Sequence, residues 1–153
     1  MNKIAELLPA TNIVLDLHAG TKSRLFDTMG DLFERSTGLP RATVTASLAA
    51  RERLGSTGLG QGIAIPHGRI KGLAKATGAF ARLATPIPFD APDGRPVTQA
   101  FVLLVPEQAT EAHLQLLSEL AQMFSERTFR DQLAGAADAA ELARLFQAWE
   151  PAA

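Results

Sequence analysis

Thr98-Gln-Ala-Phe-Val-Leu-Leu-Val105 is nearly continuous in apolar residues. A strand reads this way when both of its faces are covered, as in sheets with helices packed on either side. Outward from it, helix-like and strand-like apolar periodicity alternate along the chain, which points to an α/β domain. Lys3 to Leu8 reads as a short helix stopped by Pro9, and Ile13 to Leu17 as a strand. Thr21 to Arg35 carries Leu25, Met29, Leu32 and Phe33 on one helical face, with Gly38 and Pro40 beyond its end. Arg41 to Leu54 is a second helix, closed by Gly55. Ile63 to Ile65 is a short strand ended by Pro66, and Thr77 to Leu83 another. Pro86, Pro88, Pro92, Gly94 and Pro96 mark a turn-rich connection. After the central run, Thr110 is placed to cap a helix whose face carries Leu116, Leu117, Leu120 and Phe124. Arg127 to Leu133 reads as a short helix. Asp138 and Glu141 form a capping-box-like start to a last helix with Leu142, Leu145, Phe146 and Trp149 as its stripe.

The 153 residues fit one compact domain, with 46% hydrophobic and 20% charged residues, an ordinary globular mix. Cysteine is absent, so a disulfide scaffold, a thiol nucleophile and a thiolate metal site are all excluded. A formal net charge of −1 argues against a nucleic-acid binder. Glu6 and Asp16 interrupt the N-terminal stretch, which lacks the apolar core of a signal peptide. The most apolar run, Ala100 to Val105, is too short to cross a bilayer. The expectation is a soluble, cytoplasmic protein with no membrane insertion.

Gly55-Ser-Thr-Gly-Leu-Gly-Gln-Gly62 is a glycine-dense loop. It is not a P-loop, since no Lys-Ser/Thr follows its last glycine, and Ile63 stands where a dinucleotide fingerprint needs its third glycine. It is either a flexible connector or a loop whose N–H groups, with Ser56 and Thr57, approach an anion. His67 follows Pro66, which fixes its own backbone and ends the strand. This places His67 on a stiff mount at the carboxyl end of a strand, where open α/β sheets hold their ligands. The alternative is a surface histidine in a turn. His113 lies in the first turn of the helix after Thr110, on the face of Leu116 and Leu120. There it is a hydrogen-bonded core histidine or, if the strand ending near Val105 runs parallel to Ile63–Ile65, a neighbour of His67 on one rim. Arg51 and Arg53 either satisfy the end of their helix or bring a guanidinium to a phosphate. A metal site lacks a third ligand at a recognised spacing, His18 being far off, and Ser56 lacks the nucleophile elbow of a serine hydrolase.

Arg51-Glu-Arg-Leu-Gly-Ser-Thr-Gly-Leu-Gly-Gln-Gly-Ile-Ala-Ile-Pro-His-Gly-Arg69 resembles the active-site segment of the enzyme IIA domains of the bacterial phosphotransferase system. The likeness is to the fructose/mannitol class, and most to its nitrogen-related branch. Thr85-Pro-Ile-Pro-Phe-Asp90, Leu103-Leu-Val-Pro106 and His113-Leu114 extend it in order over essentially the whole chain. Gln61 and Arg69 stand at positions where variation is expected.

The resemblance implies a single domain over 1–153 with a mixed parallel and antiparallel β-sheet flanked by helices on both faces. It implies that His67 accepts a phosphoryl group from a phosphohistidine on an HPr-like carrier. Arg51 would hold that group, His113 would be the second active-site histidine, and Ser56 and Thr57 would contribute to phosphate binding. No cofactor or metal is implied. The expected output is regulatory, in nitrogen, carbon or potassium physiology, through protein partners. A sugar-specific enzyme IIA passing phosphate to a IIB domain is the alternative. A non-catalytic binding module that kept the fold is the second alternative, and a metallohydrolase using His67 and His113 a third.

Overall fold

The computed structural model describes residues 2–108 and 111–151. Thr110, expected as a helix cap, lies outside the described residues. Its frame is a mixed six-stranded sheet of order β1-β5-β6-β3-β2, with β4 also paired to β6. The strands are β1 (Ile13–Leu17), β2 (Gly58–Gly60), β3 (Ile63–Ala64), β4 (His67–Ile70), β5 (Thr77–Ile87) and β6 (Val97–Pro106). β6 runs antiparallel to β5 and parallel to β3 and β4, while β1 runs parallel to β5.

β6 contains the expected doubly covered strand. Phe101, Leu103 and Val105 enter one apolar core, and Ala100, Val102 and Leu104 enter another on the opposite face. The first core is closed by α1 (Lys3–Glu6), α4 (Glu111–Ser125), α5 (Arg127–Gly135) and α6 (Ala139–Ala148). Phe80, Phe124, Phe129 and Phe146 meet within it in tilted and edge contacts, which suit the quadrupoles of aromatic rings. The second core is closed by α2 (Lys22–Thr37) and α3 (Arg41–Arg53). The sheet is therefore flanked by helices on both faces, as its sequence pattern requires.

Helix ends follow their local chemistry. Thr21 caps α2 by accepting from Arg24 N–H, and Asp138 caps α6 by accepting from Glu141 N–H. Gly38 closes α2 in the left-handed conformation. α1 closes at Glu6, short of the expected Leu8, with Leu7 as its cap.

Two expectations require correction. The glycine-dense loop contains β2, which forms a hairpin with β3 through Gln61 and Gly62, both at positive φ (59° and 81°). That conformation at both central residues matches the twist of the strands it joins. β3 does close before Pro66, but pairing with β6 continues past Pro66. This proline cannot donate to the ladder, but its carbonyl accepts from Leu103 N–H at 2.9 Å. Pairing with β6 resumes in unchanged register, from Ala64 against Ala100 to His67 against Leu103. His67 thus opens a further strand and is not a turn residue beyond a strand's end.

Candidate functional site

β4 is a short strand whose alternate positions serve different faces. His67 pairs with Leu103, and Gly68 pairs with Leu104. Paired positions share a face, so His67 looks toward the layer containing α4 and Gly68 toward the layer containing α3. Gly68 permits a very close approach there. A Cβ at this position would lie 2.2 Å from Ser47 Oγ. Ser47 in turn donates to Arg69 C=O at 2.9 Å, which fixes α3 on β4. Arg51 lies one helical turn beyond Ser47 on the same face. The glycine after His67 thereby sets how near the guanidinium comes.

The His67 ring is oriented by its own strand. Nδ1 lies 2.9 Å from Ile65 C=O. A carbonyl only accepts, so Nδ1 carries the proton and the lone pair of the neutral ring sits on Nε2. No side-chain partner for Nε2 occurs among the described residues. Burial lowers the pKa of His67 below its ordinary value; the Ile65 bond opposes this, Arg51 adds to it and Glu52 opposes it. The imidazole is therefore neutral near pH 7.

His113, only 8% exposed, comes from the first turn of α4. Its ring centroid lies 5.5 Å from that of His67, with the rings tilted by 50°. The parallel pairing of β3 and β4 with β6 produces this meeting, as the sequence argument required. Burial is again the main cause of a lowered pKa, followed by His67 and Arg69. The Nδ1 atom of His113 is buried, with no hydrogen-bond partner among the described residues.

Two cavities open on His67. One, of about 400 Å³, is lined by Ser47, Arg51, Leu54, Arg69 and His113 as well. The other, of about 330 Å³, adds Ser56, Thr57, Leu59 and Leu117 to Arg51 and His67. Arg51 borders both and donates from Nη1 to Gly55 C=O at 2.8 Å. The guanidinium thus closes its own helix end, the first of its two readings, and borders the same cavities as His67. Arg53 instead borders a different cavity with Lys22 and Phe26.

Ser56 and Thr57 line the second cavity, but their hydroxyl protons are engaged within the protein. Ser56 donates to Phe89 C=O and accepts from Gly58 N–H. Thr57 donates from Oγ1 to Glu52 at 2.6 Å and from its N–H to the same carboxylate at 3.0 Å. Their visible role is to hold the loop. Sequence reasoning passed over Glu52, Arg69 and the exposed leucines. The large apolar side chains exposed among the described residues are Leu54 (85%), Leu114 (64%) and Leu59 (44%); Leu54 and Leu59 line the two cavities, and Leu114 follows His113 in sequence. Among the described residues no group of three metal-ligating side chains converges anywhere.

Residues 6–149 match the family model described as phosphoenolpyruvate-dependent sugar phosphotransferase system, EIIA 2. A nitrogen regulatory protein of Pseudomonas aeruginosa is 41% identical over 145 residues, covering 93% of this chain and 93% of that protein. The fructose-specific EIIA component of a phosphotransferase system in Haloferax volcanii is 35% identical over 131 residues, covering 85% of each. Among solved structures, the nitrogen regulatory protein IIA-Ntr of Neisseria meningitidis superposes with a TM-score of 0.89 at 52% identity, over 94% of this chain and 99% of that one.

Proposed function

The chain belongs to the EIIA 2 family of the phosphoenolpyruvate-dependent sugar phosphotransferase system, and from that membership we propose that His67 is the residue on which it accepts a phosphoryl group. The protein is a phosphocarrier with a regulatory role, sharing more with nitrogen regulatory members than with the fructose-specific one. The observation that supports His67 is its ring geometry. Nδ1–H is tied to Ile65 C=O, while Nε2 has no side-chain partner among the described residues, and a guanidinium and a second imidazole stand beside the ring.

The transfer balances without a cofactor. A phosphohistidine on an HPr-like carrier presents its phosphorus in line with Nε2 of neutral His67. The new N–P bond forms as the carrier's N–P bond breaks, and the carrier's histidine leaves with the electron pair. The His67 proton stays on Nδ1, where Ile65 C=O receives the charge that develops on the ring. Such a reaction asks the protein for positioning and for donors around the equatorial oxygens. Arg51 and His113 supply these donors, with Ser56 and Thr57 able to join once their loop bonds rearrange. The exposed leucines around the site suit a protein donor better than a free nucleotide. They give an apolar rim that a partner covers on docking.

We assign the output mainly to regulation of partner proteins in the cytoplasm, with the charge gained on phosphorylation as the signal they read. Passage of the group to a IIB domain is the second reading, favoured by the fructose-specific relative. The test is incubation with a phosphorylated HPr-like carrier followed by intact mass, for wild type and His67→Ala. One acid-labile phosphoryl group on wild type alone supports the proposal. No transfer to wild type overturns it in favour of a binding module. Onward transfer to a IIB domain overturns the regulatory assignment.

A further inference from the structure

We infer that Glu52 is a positioning residue of this site: it acts through Thr57 and Ile65 to hold the His67 ring in its Nδ1–H form. The inference rests on the reading of His67 as the phosphoryl acceptor. Its observation is an unbroken line of hydrogen bonds from α2 to the imidazole. Lys22 Nζ, at the first residue of α2, donates to Glu52 Oε2 at 2.9 Å. Thr57 donates its N–H to the same oxygen and its hydroxyl to Oε1. Thr57 C=O accepts from Ile65 N–H at 3.0 Å. Ile65 C=O then accepts from His67 Nδ1 at 2.9 Å.

Each link has a physical reason to matter. The Glu52 side chain is 7% exposed, so its charge is removed from water and needs its three donors. A buried carboxylate accepting several bonds fixes its donors more tightly than a neutral acceptor would. The donor it fixes most is Thr57, which meets Ile65 one residue beyond the open end of the β2–β3 hairpin. The coupling along this line is mechanical: with Thr57 fixed, its C=O fixes Ile65 N–H, and the held Ile65 backbone presents its own C=O to His67 Nδ1. Glu52 also follows Arg51 directly on the last turn of α3. The loop it pins contains Gly55, whose carbonyl holds the Arg51 guanidinium. One carboxylate thus orients the nucleophile on one side and steadies the cation on the other. It does so without touching the reacting atoms.

The charged or titratable groups facing the His67 ring are Arg51 and Glu52 from α3, Arg69 from β4 and His113 from α4. Of these only Glu52 is acidic, so its loss lowers the His67 titration midpoint further.

The experiment compares wild type, Glu52→Ala, Glu52→Gln and Thr57→Val by two readouts. The first is nitrogen NMR of the His67 ring, which reports its tautomer and titration midpoint. The second is single-turnover transfer from a phosphorylated HPr-like carrier, with thermal melting as a check on folding. In Glu52→Ala, Asp90 remains 3.5 Å from Lys22, so the ammonium keeps a partner. This variant is expected to lose the uniform Nδ1–H tautomer and to transfer about 10- to 100-fold more slowly, as small misplacements of a reacting group do. Glu52→Gln keeps an amide oxygen for Thr57 and Lys22. It is expected to restore the tautomer and most of the rate, with a lower His67 midpoint. Thr57→Val should fall between the two. A Glu52→Ala protein with the wild-type tautomer and rate overturns the inference. If that variant does not fold, Thr57→Val decides by the same readouts, and unchanged spectra and rate overturn it. If wild type accepts no phosphoryl group, the proposed function fails, yet the spectra need no carrier and still decide the role of Glu52.

Discussion

The imidazoles of His67 and His113 lie with centroids 5.5 Å apart, one mounted on an edge strand and the other on the first turn of a helix. Neither could be placed there by its local sequence. The meeting depends on β6, which sets the register of β4 and then leads into the helix that carries His113.

Arg51 provides the first prediction. Its guanidinium borders both cavities on His67 and is held there by its bond to Gly55 C=O, which is where the proposed transfer needs a donor. Arg51→Ala is expected to slow transfer about 100- to 1,000-fold, the usual effect of removing one preorganised donor from a developing charge. Arg51→Lys should recover little, because the bond to Gly55 C=O and a contact to phosphate need a forked donor. Single-turnover transfer from a labelled carrier measures both, and a fully active lysine variant would refute the forked-contact argument.

pH provides the second. His67 and His113 both have pKa values lowered from 6.5, chiefly by burial. In the window between each lowered folded value and 6.5, the unfolded chain binds more protons than the folded one, so stability rises with pH there. The stability contributed by keeping both rings neutral is complete above 6.5 and is lost as pH falls through the folded values. Melting temperature should therefore decline on acidification from pH 7 to 5, and decline less in His67→Phe/His113→Phe. Transfer should fall over the same range as His67 Nε2 is protonated. A double variant with the wild-type pH profile of melting would contradict this.

Gly68 provides the third. A methyl group there would sit 2.2 Å from Ser47 Oγ and 3.1 Å from Ser47 Cβ. Gly68→Ala should cost about 1–3 kcal/mol by overpacking α3 against β4. It should also slow transfer by tilting Arg51 away. Adding Ser47→Gly removes the two nearest of the three contacting atoms, leaving backbone carbon at 3.3 Å, and should return part of the activity, against about 1 kcal/mol for a helical glycine. Urea midpoints and transfer rates on the single and double variants provide the check.

Leu54 provides the fourth. It is exposed beside His67 and makes no core contact that would explain an apolar residue there. Leu54→Ser should leave stability within about 0.5 kcal/mol. It should raise the KM for the phosphorylated carrier with little change in kcat, since it removes docking area and not a reacting group. A kcat effect without a KM effect would show that the leucine is not a docking residue.

Much of this arrangement was legible before any coordinates. Thr98–Val105 announces burial on both faces, because each face contributes its own apolar residues to alternate positions. Pro66-His67-Gly68 stood out as a candidate site by chemistry and by resemblance, and the cavities open there. β2 and β4 were not legible. Gly58-Leu-Gly60 has no strand propensity of its own and is held by a turn at Gln61-Gly62. His67–Ile70 follows a proline and owes its pairing to a register established on a distant strand. Glu52 escaped notice for a similar reason. Its partners come from the start of α2 and from beyond the end of its own helix, and no spacing rule joins them.

α3 and α4 reach the site from opposite layers, each seated on a separate apolar core. Arg51 and His113 face the same ring only when both layers are in place. A molecule with one layer peeled away keeps its histidine but loses half of the apparatus that charges it. The phosphoryl mark is therefore also a certificate of integrity. With His67 as the proposed acceptor, a partner reading that mark would sample assembled copies, and damaged ones would drop out of the signal without separate surveillance.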